Sequence, residues 1–171
     1  MEVDYAEIVT DKPVKKFLLK YYLTDTPMES LILISPFLGT LEGTRVTLDA
    51  ICRKALERGV FTYVITCKPG EDQQGALDCL LRYDRVEVRF NESLHAKLYI
   101  CICKEESDSF ALLGSANLTR NSIMNNIEIG MMIYGRGKGK DIVRGLSSWG
   151  LEKLRTFNNT QLVKKIKSPR R

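Results

Sequence analysis

Leu94-His95-Ala96-Lys97-Leu98-Tyr99-Ile100-Cys101-Ile102-Cys103 alternates strictly between two sets of side chains. Leu94, Ala96, Leu98, Ile100 and Ile102 form one set; His95, Lys97, Tyr99, Cys101 and Cys103 form the other. A period of two is the pattern of a β-strand, so the stretch predicts a strand with His95 and Lys97 on one face. Lys104-Glu105-Glu106-Ser107-Asp108 predicts a polar turn, and Ser109 to Leu113 a returning strand. A hairpin centred on Glu106 sets His95 opposite Asn117 and Lys97 opposite Ser115. Side chains opposed in this way lie about 5 Å apart at Cβ. Gly114, just before Ser115, lets a backbone or a ligand come close.

The residue types in this patch point to chemistry. A lysine on a face of apolar or small side chains is costly without an anionic partner. Imidazole, ammonium, hydroxyl and carboxamide together form a donor-rich cradle for a tetrahedral anion, with a nucleophile beside it. Glu128 joins them from the polar side of a strand expected over Asn126 to Tyr134. A carboxylate there can bond one imidazole nitrogen, fix the tautomer and free the other nitrogen to attack. Taken singly, each residue has a plainer reading as a packing, turn or solvated side chain. Their joint placement carries the inference.

Upstream, strands and helices alternate. Asp11-Lys12-Pro13 reads as a helix start leading into Val14 to Tyr22. Leu31 to Ile34 reads as a buried strand ending at Ser35-Pro36. A helix follows with Val46, Leu48, Ile51, Cys52, Ala55 and Leu56 inside and Gly59 at its end. A strand over Val60 to Thr66, a helix over Gln74 to Tyr83 and a strand over Arg85 to Phe90 come next. This order predicts an α/β domain: a mixed, largely parallel sheet flanked by helices, with the antiparallel hairpin added. Downstream, Gly135 to Gly139 reads as a flexible connector, and Asp141 to Phe157 as a closing helix.

At 171 residues the chain fits one catalytic domain over 1–163 and a basic tail over 164–171. With 44% hydrophobic and 27% charged residues the composition is that of a folded soluble protein. Five of the basic residues behind the net charge of +5 lie in the tail: Lys164, Lys165, Lys167, Arg170 and Arg171. The remainder is neutral, so charge alone argues only weakly for an anionic partner. No apolar run is long enough to span a bilayer, and Met1-Glu2-Val3-Asp4 has no signal-peptide character, so the expectation is cytoplasmic without integral membrane association. Cys52, Cys67, Cys79, Cys101 and Cys103 sit in or beside apolar runs, as buried thiols do. One histidine and no metal-type cysteine spacing leave no metal centre and no cofactor to expect.

His95-Ala96-Lys97, then Gly114-Ser115-Ala116-Asn117, then Glu128, resembles the HKD motif of the phospholipase D superfamily. The motif's aspartate, five residues after the lysine, is Ile102 here, and the spacing to Gly114 is longer than the pattern. Both departures look more like the metal-independent nuclease branch, including some restriction endonucleases, than like the lipid enzymes. The resemblance implies that His95 attacks phosphorus to give a phosphohistidine that water hydrolyses. Lys97, Ser115 and Asn117 would donate to the non-bridging oxygens, and Glu128 would orient the imidazole. In-line displacement also needs a general acid on the leaving oxygen. With one histidine per chain, it must come from a second copy, so a homodimer with a shared site is expected.

Three functions follow. The first is a nuclease acting on nucleic acid, with Arg120 and Gly114 as substrate-binding residues. The second is a phospholipid or cardiolipin hydrolase, for which no apolar lipid-entry surface is legible beyond the lysine-bearing helix at Val14 to Tyr22. The third is a non-catalytic nucleic-acid-binding module. Sequence specificity, with no second domain to read it, falls to loops or a partner protein.

Overall fold

In a computed structural model that describes residues 5–167, the strands among those described residues join one eight-stranded mixed sheet. They are β1 (Ala6–Val9), β2 (Met28–Ile34), β3 (Phe61–Thr66), β4 (Val86–Asn91), β5 (Leu98–Cys103), β6 (Phe110–Gly114), β7 (Gly130–Tyr134) and β8 (Thr160–Lys164). Their spatial order is β1-β7-β6-β5-β2-β3-β4-β8. β2–β3 and β3–β4 are parallel, and the other five pairings are antiparallel. The sheet is therefore mixed and flanked by helices as expected, but largely antiparallel rather than largely parallel, its parallel part being confined to β2, β3 and β4. The cause is connection length. Parallel neighbours need crossover helices, here α2 (Leu48–Glu57) and α3 (Gln74–Leu81), whereas the short link between β5 and β6 allows only an antiparallel return.

Helices cover both faces. On one, α1 (Pro13–Leu23) buries Val14, Phe17, Leu18 and Tyr21, the i, i+3, i+4, i+7 stripe of an amphipathic helix. Phe17 meets Tyr99 and Phe110 at ring separations of 5.8 and 5.3 Å. The Thr47 hydroxyl caps α2 by accepting from the Ala50 amide at 3.2 Å, and Thr119 does the same for the short α4 (Arg120–Met124) from Ser122. On the opposite face, α5 (Gly139–Ser148) packs Val143 into a cluster with Ile32, Ile34, Ile100, Ala111 and Ile133.

Three local features differ from the sequence reading. α1 starts from Lys12, which has left-handed backbone (φ 48°), rather than from a capping Asp11. The closing helix breaks after Ser148 into a π-helical turn (Trp149–Lys153) and a 3-10 turn (Leu154–Thr156), and the chain then returns as β8. The C-terminal segment is anchored by the buried Glu87 carboxylate, which accepts from Arg155 at 2.6 and 2.8 Å and from Arg89 at 2.7 Å. Within the basic tail, Lys164 ends β8 and points its ammonium at the carbonyls of Leu80, Leu81 and Tyr83, at the end of α3. Ser168 to Arg171 lie outside the described residues.

Candidate active site

β5 begins at Leu98, so His95, Ala96 and Lys97 form an extended lead-in rather than the strand itself. The lead-in is held by the Leu94 amide, which donates to the Asn91 carbonyl at 3.1 Å, and by the Lys97 carbonyl, which accepts from the Gly114 amide at 3.3 Å. His95 is exposed and Lys97 half-buried. The Lys97 ammonium donates to the His95 carbonyl at 2.9 Å.

The expected hairpin register is off by one residue. Leu98 pairs with Leu113 and Cys101 with Phe110, which centres the hairpin between Glu105 and Glu106. Lys97 therefore stands across from Gly114, not Ser115, and His95 and Asn117 precede and follow the ladder. The turn explains the shift: Glu106 to Asp108 coil into a 3-10 turn, and the Ser109 hydroxyl, not a backbone carbonyl, takes the Cys103 amide at 3.0 Å. In a period-two element one such slip exchanges the residues that oppose each other.

The turn after β6 is built on two buried residues that the sequence reading did not single out. The Tyr99 hydroxyl donates to the Ala116 carbonyl at 2.7 Å. Ser35, fully buried at the end of β2, accepts from the Leu118 amide at 3.0 Å, donates to the Phe37 carbonyl at 2.7 Å and lies 3.5 Å from the Asn117 Oδ1. Together they hold Ser115 to Leu118 over the ends of β2 and β5. Signals for both were present: Tyr99 shares the alternating set of His95 and Lys97, and Ser35 closes an apolar strand.

Ser115 and Glu128 meet directly. The hydroxyl donates to Glu128 Oε2 at 2.5 Å, and Asn126 Nδ2 donates to Oε1 at 3.2 Å. The Ser115 amide also donates to the Ile129 carbonyl at 3.0 Å. Burial pushes the Glu128 carboxyl up, but the hydrogen bonds from Ser115, Asn126 and Ser122 and the charge of Lys97 outweigh it, and the net effect is a lowered pKa. Ser115 and Asn126 thus hold this carboxylate, where the sequence reading set His95. A Cβ on Gly114 would collide with the Ile129 carbonyl and lie 2.7 Å from Gly130 Cα, so the close backbone approach at this glycine is that of β7. Arg120 opens α4 and lies over the 41–46 loop, its Nε 3.3 Å from where a Gly43 Cβ would stand.

These side chains share one end of the sheet, where β2 and β3 finish and β5 begins, which is where open α/β sheets bind ligands. The structure also reveals an apolar surface beside Ser115 that the sequence reading did not find. Ile8, Met131 and Leu113 stand in register across β1, β7 and β6, and Ile129 extends the stripe toward Ser115. All four are exposed, Ile8 at 68%, and the neighbouring Ile127 is fully so. Among the described residues no helix is long and apolar enough to cross a membrane.

Comparison with known proteins agrees with this architecture. The family model of the PLD-like domain of cardiolipin synthase matches residues 23–149. The chain belongs to that family, within the phospholipase D superfamily of phosphodiester-cleaving enzymes. Among solved structures it is similar to Nuc from Salmonella typhimurium, a phospholipase D family member, with a TM-score of 0.63 and 14% identity over 94% of this chain and 99% of that one. NucT from Helicobacter pylori follows with a TM-score of 0.56 and 16% identity over 84% and 92% of the two chains. TrmBL2, an archaeal chromatin protein described with a mode of DNA binding, aligns with a TM-score of 0.52 and 16% identity over 94% of this chain and 54% of that one. No curated protein sequence matches the chain.

Proposed function

We propose that the protein is a nuclease, a metal-independent phosphodiesterase that cleaves nucleic acid through a covalent phosphohistidine on His95. The observation that carries this reading is the bonding of Ser115 to Glu128 beside the lead-in that bears His95 and Lys97. Charge develops on the non-bridging oxygens as His95 attacks phosphorus, and fixed donors there accelerate the step. Lys97 and Asn117 are such donors, Ser115 joins them when its proton turns from Glu128 to the phosphate, and Arg120 contacts the flanking nucleic acid. A basic segment that tracks phosphates suits a polyanionic substrate. The likeness to Nuc and NucT, each matched over nearly its whole length, supports a domain of this kind.

The leaving oxygen needs a proton from the side opposite His95, and each chain has one histidine. A second copy supplies it across a two-fold axis. The exposed stripe of Ile8, Leu113, Ile129 and Met131 borders Ser115 and gives that copy an apolar seat. The same stripe favours a second reading, phospholipid hydrolysis, in which it meets acyl chains rather than protein. Incubation with DNA in EDTA, and separately with cardiolipin liposomes, distinguishes them. EDTA-resistant cleavage of DNA that is lost in Lys97→Ala is expected. Release of phosphatidic acid with intact DNA selects the lipid reading, and salt-sensitive DNA binding without turnover selects a non-catalytic module.

A further inference from the structure

Lys12 is one of two non-glycine residues with left-handed backbone among those described, and it lies far in sequence from the site. A β-carbon makes that conformation unfavourable, so a glycine would sit there with less strain. What the lysine provides is its ammonium, which donates to the Asn126 carbonyl at 3.1 Å across 114 residues of sequence. Asn126 in turn donates from Nδ2 to Glu128 Oε1, and Ser115 donates to Oε2. The Asn126 amide is bound to the Asn121 carbonyl at 2.9 Å, which fixes the same loop to α4. An unbroken series of hydrogen bonds thus runs from a strained lysine at the start of α1 to the serine of the site.

We infer that Lys12 and Asn126 are positioning residues for the reaction, acting through Glu128 on Ser115. The inference rests on the phosphodiesterase reading for its effect on rate, and on geometry alone for its effect on Glu128. Strain retained at a residue whose side chain holds the carbonyl of Asn126, the residue that donates to Glu128, is the pattern expected when the surrounding structure exploits that strain. Lys12 anchors the loop, Asn126 turns the carboxylate, and the carboxylate holds the Ser115 hydroxyl in one orientation at the site until the phosphate takes its hydrogen bond. The charged and titratable groups that bear on Glu128 are Lys97 from the β5 lead-in and the buried Tyr99 of β5, while Lys12 touches the series only at the Asn126 carbonyl. Removal of a donor to the ionised form raises the titration point of an acid. Glu128 therefore reports directly on the series.

The test uses Lys12→Gly, Lys12→Arg and Asn126→Leu in the full chain. Glu128 is titrated by carboxyl carbon NMR, and turnover of bis(p-nitrophenyl) phosphate is measured alongside melting temperature. In Lys12→Gly and Asn126→Leu the Glu128 midpoint is expected to rise toward that of an ordinary glutamate. Their kcat is expected to fall about tenfold while KM moves by less than about twofold. Lys12→Gly should melt no lower than the parent, because its backbone strain is relieved. Lys12→Arg, which keeps a donor, should recover both the midpoint and most of the rate. A Glu128 midpoint unchanged in Lys12→Gly and Asn126→Leu overturns the inference, and so does a fall in melting temperature as their only effect. If the parent protein cleaves no phosphodiester, the titration still decides whether Lys12 and Asn126 act on Glu128, and the failure belongs to the phosphodiesterase reading.

Discussion

The Ser115 hydroxyl and the Glu128 carboxylate are bonded at 2.5 Å, which ties the turn after β6 to the segment before β7 at the end of the sheet where β5 begins. Because the donors around Glu128 stabilise its ionised form, its carboxyl titrates below the ordinary range near ~4.3. The stabilisation is present above that ordinary value and is lost as pH falls through the lowered one. Ser115→Ala removes one donor and moves the acidic limb of the pH–rate profile upward. A profile that superimposes on the parent's would separate Glu128 from the rate.

Tyr99 acts behind the site. Its buried phenol donates to the Ala116 carbonyl, and burial raises its pKa well above the ordinary value, so it remains a donor at all physiological pH. Tyr99→Phe leaves that carbonyl without its partner and should cost about 1–2 kcal/mol in chemical denaturation. The loosened Ser115 to Leu118 turn should lower kcat more than it raises KM. Equal stability in the two proteins would mean that the turn is held by Ser35 alone.

The apolar stripe makes a prediction about assembly. Met131→Glu places a charge at its centre, between Ile8 on β1 and Leu113 on β6. If the stripe seats a second copy, the variant sediments as a monomer and loses DNA cleavage with its fold intact. A dimer that survives this substitution places the two-fold axis elsewhere.

Glu87 tests how the C-terminal segment is held. Its carboxylate is buried and shared by Arg89 and Arg155; burial pushes its pKa up, the two guanidinium groups pull it down, and the net shift is downward. Glu87→Gln leaves the two arginines without their counter-charge and should destabilise the protein by about 3 kcal/mol. In the parent this contribution is complete above the ordinary carboxylate pKa and disappears as pH falls through the depressed one. Urea midpoints across that range should therefore fall more steeply for the parent than for the variant, which keeps only the other carboxylates of lowered pKa.

Local pattern carried much of this structure. The apolar runs at Leu31 to Ile34 and Val60 to Thr66 and the stripe of α1 are each set by neighbours within a turn or a strand, and they were readable as such. The edge strands β1 and β8 were not: they are four and five residues long and owe their form to pairing with β7 and β4. The hairpin was legible but its register was not, since a single 3-10 turn between Glu106 and Asp108 moves every opposed pair by one. For the candidate site, residue type singled out His95, Lys97, Ser115, Asn117 and Glu128. Their supports were hidden because the contacts are remote, 83 residues for Ser35 with Leu118 and 114 for Lys12 with Asn126.

The most direct test of the mechanism is capture of the covalent intermediate. A labelled oligonucleotide is mixed with the protein in EDTA, quenched in alkali to preserve phosphohistidine, and the adduct is mapped by mass spectrometry. A nucleotide attached to His95, and absent in His95→Ala, is the predicted result. DNA cleavage at the parental rate by His95→Ala, or an adduct on any other residue, contradicts it.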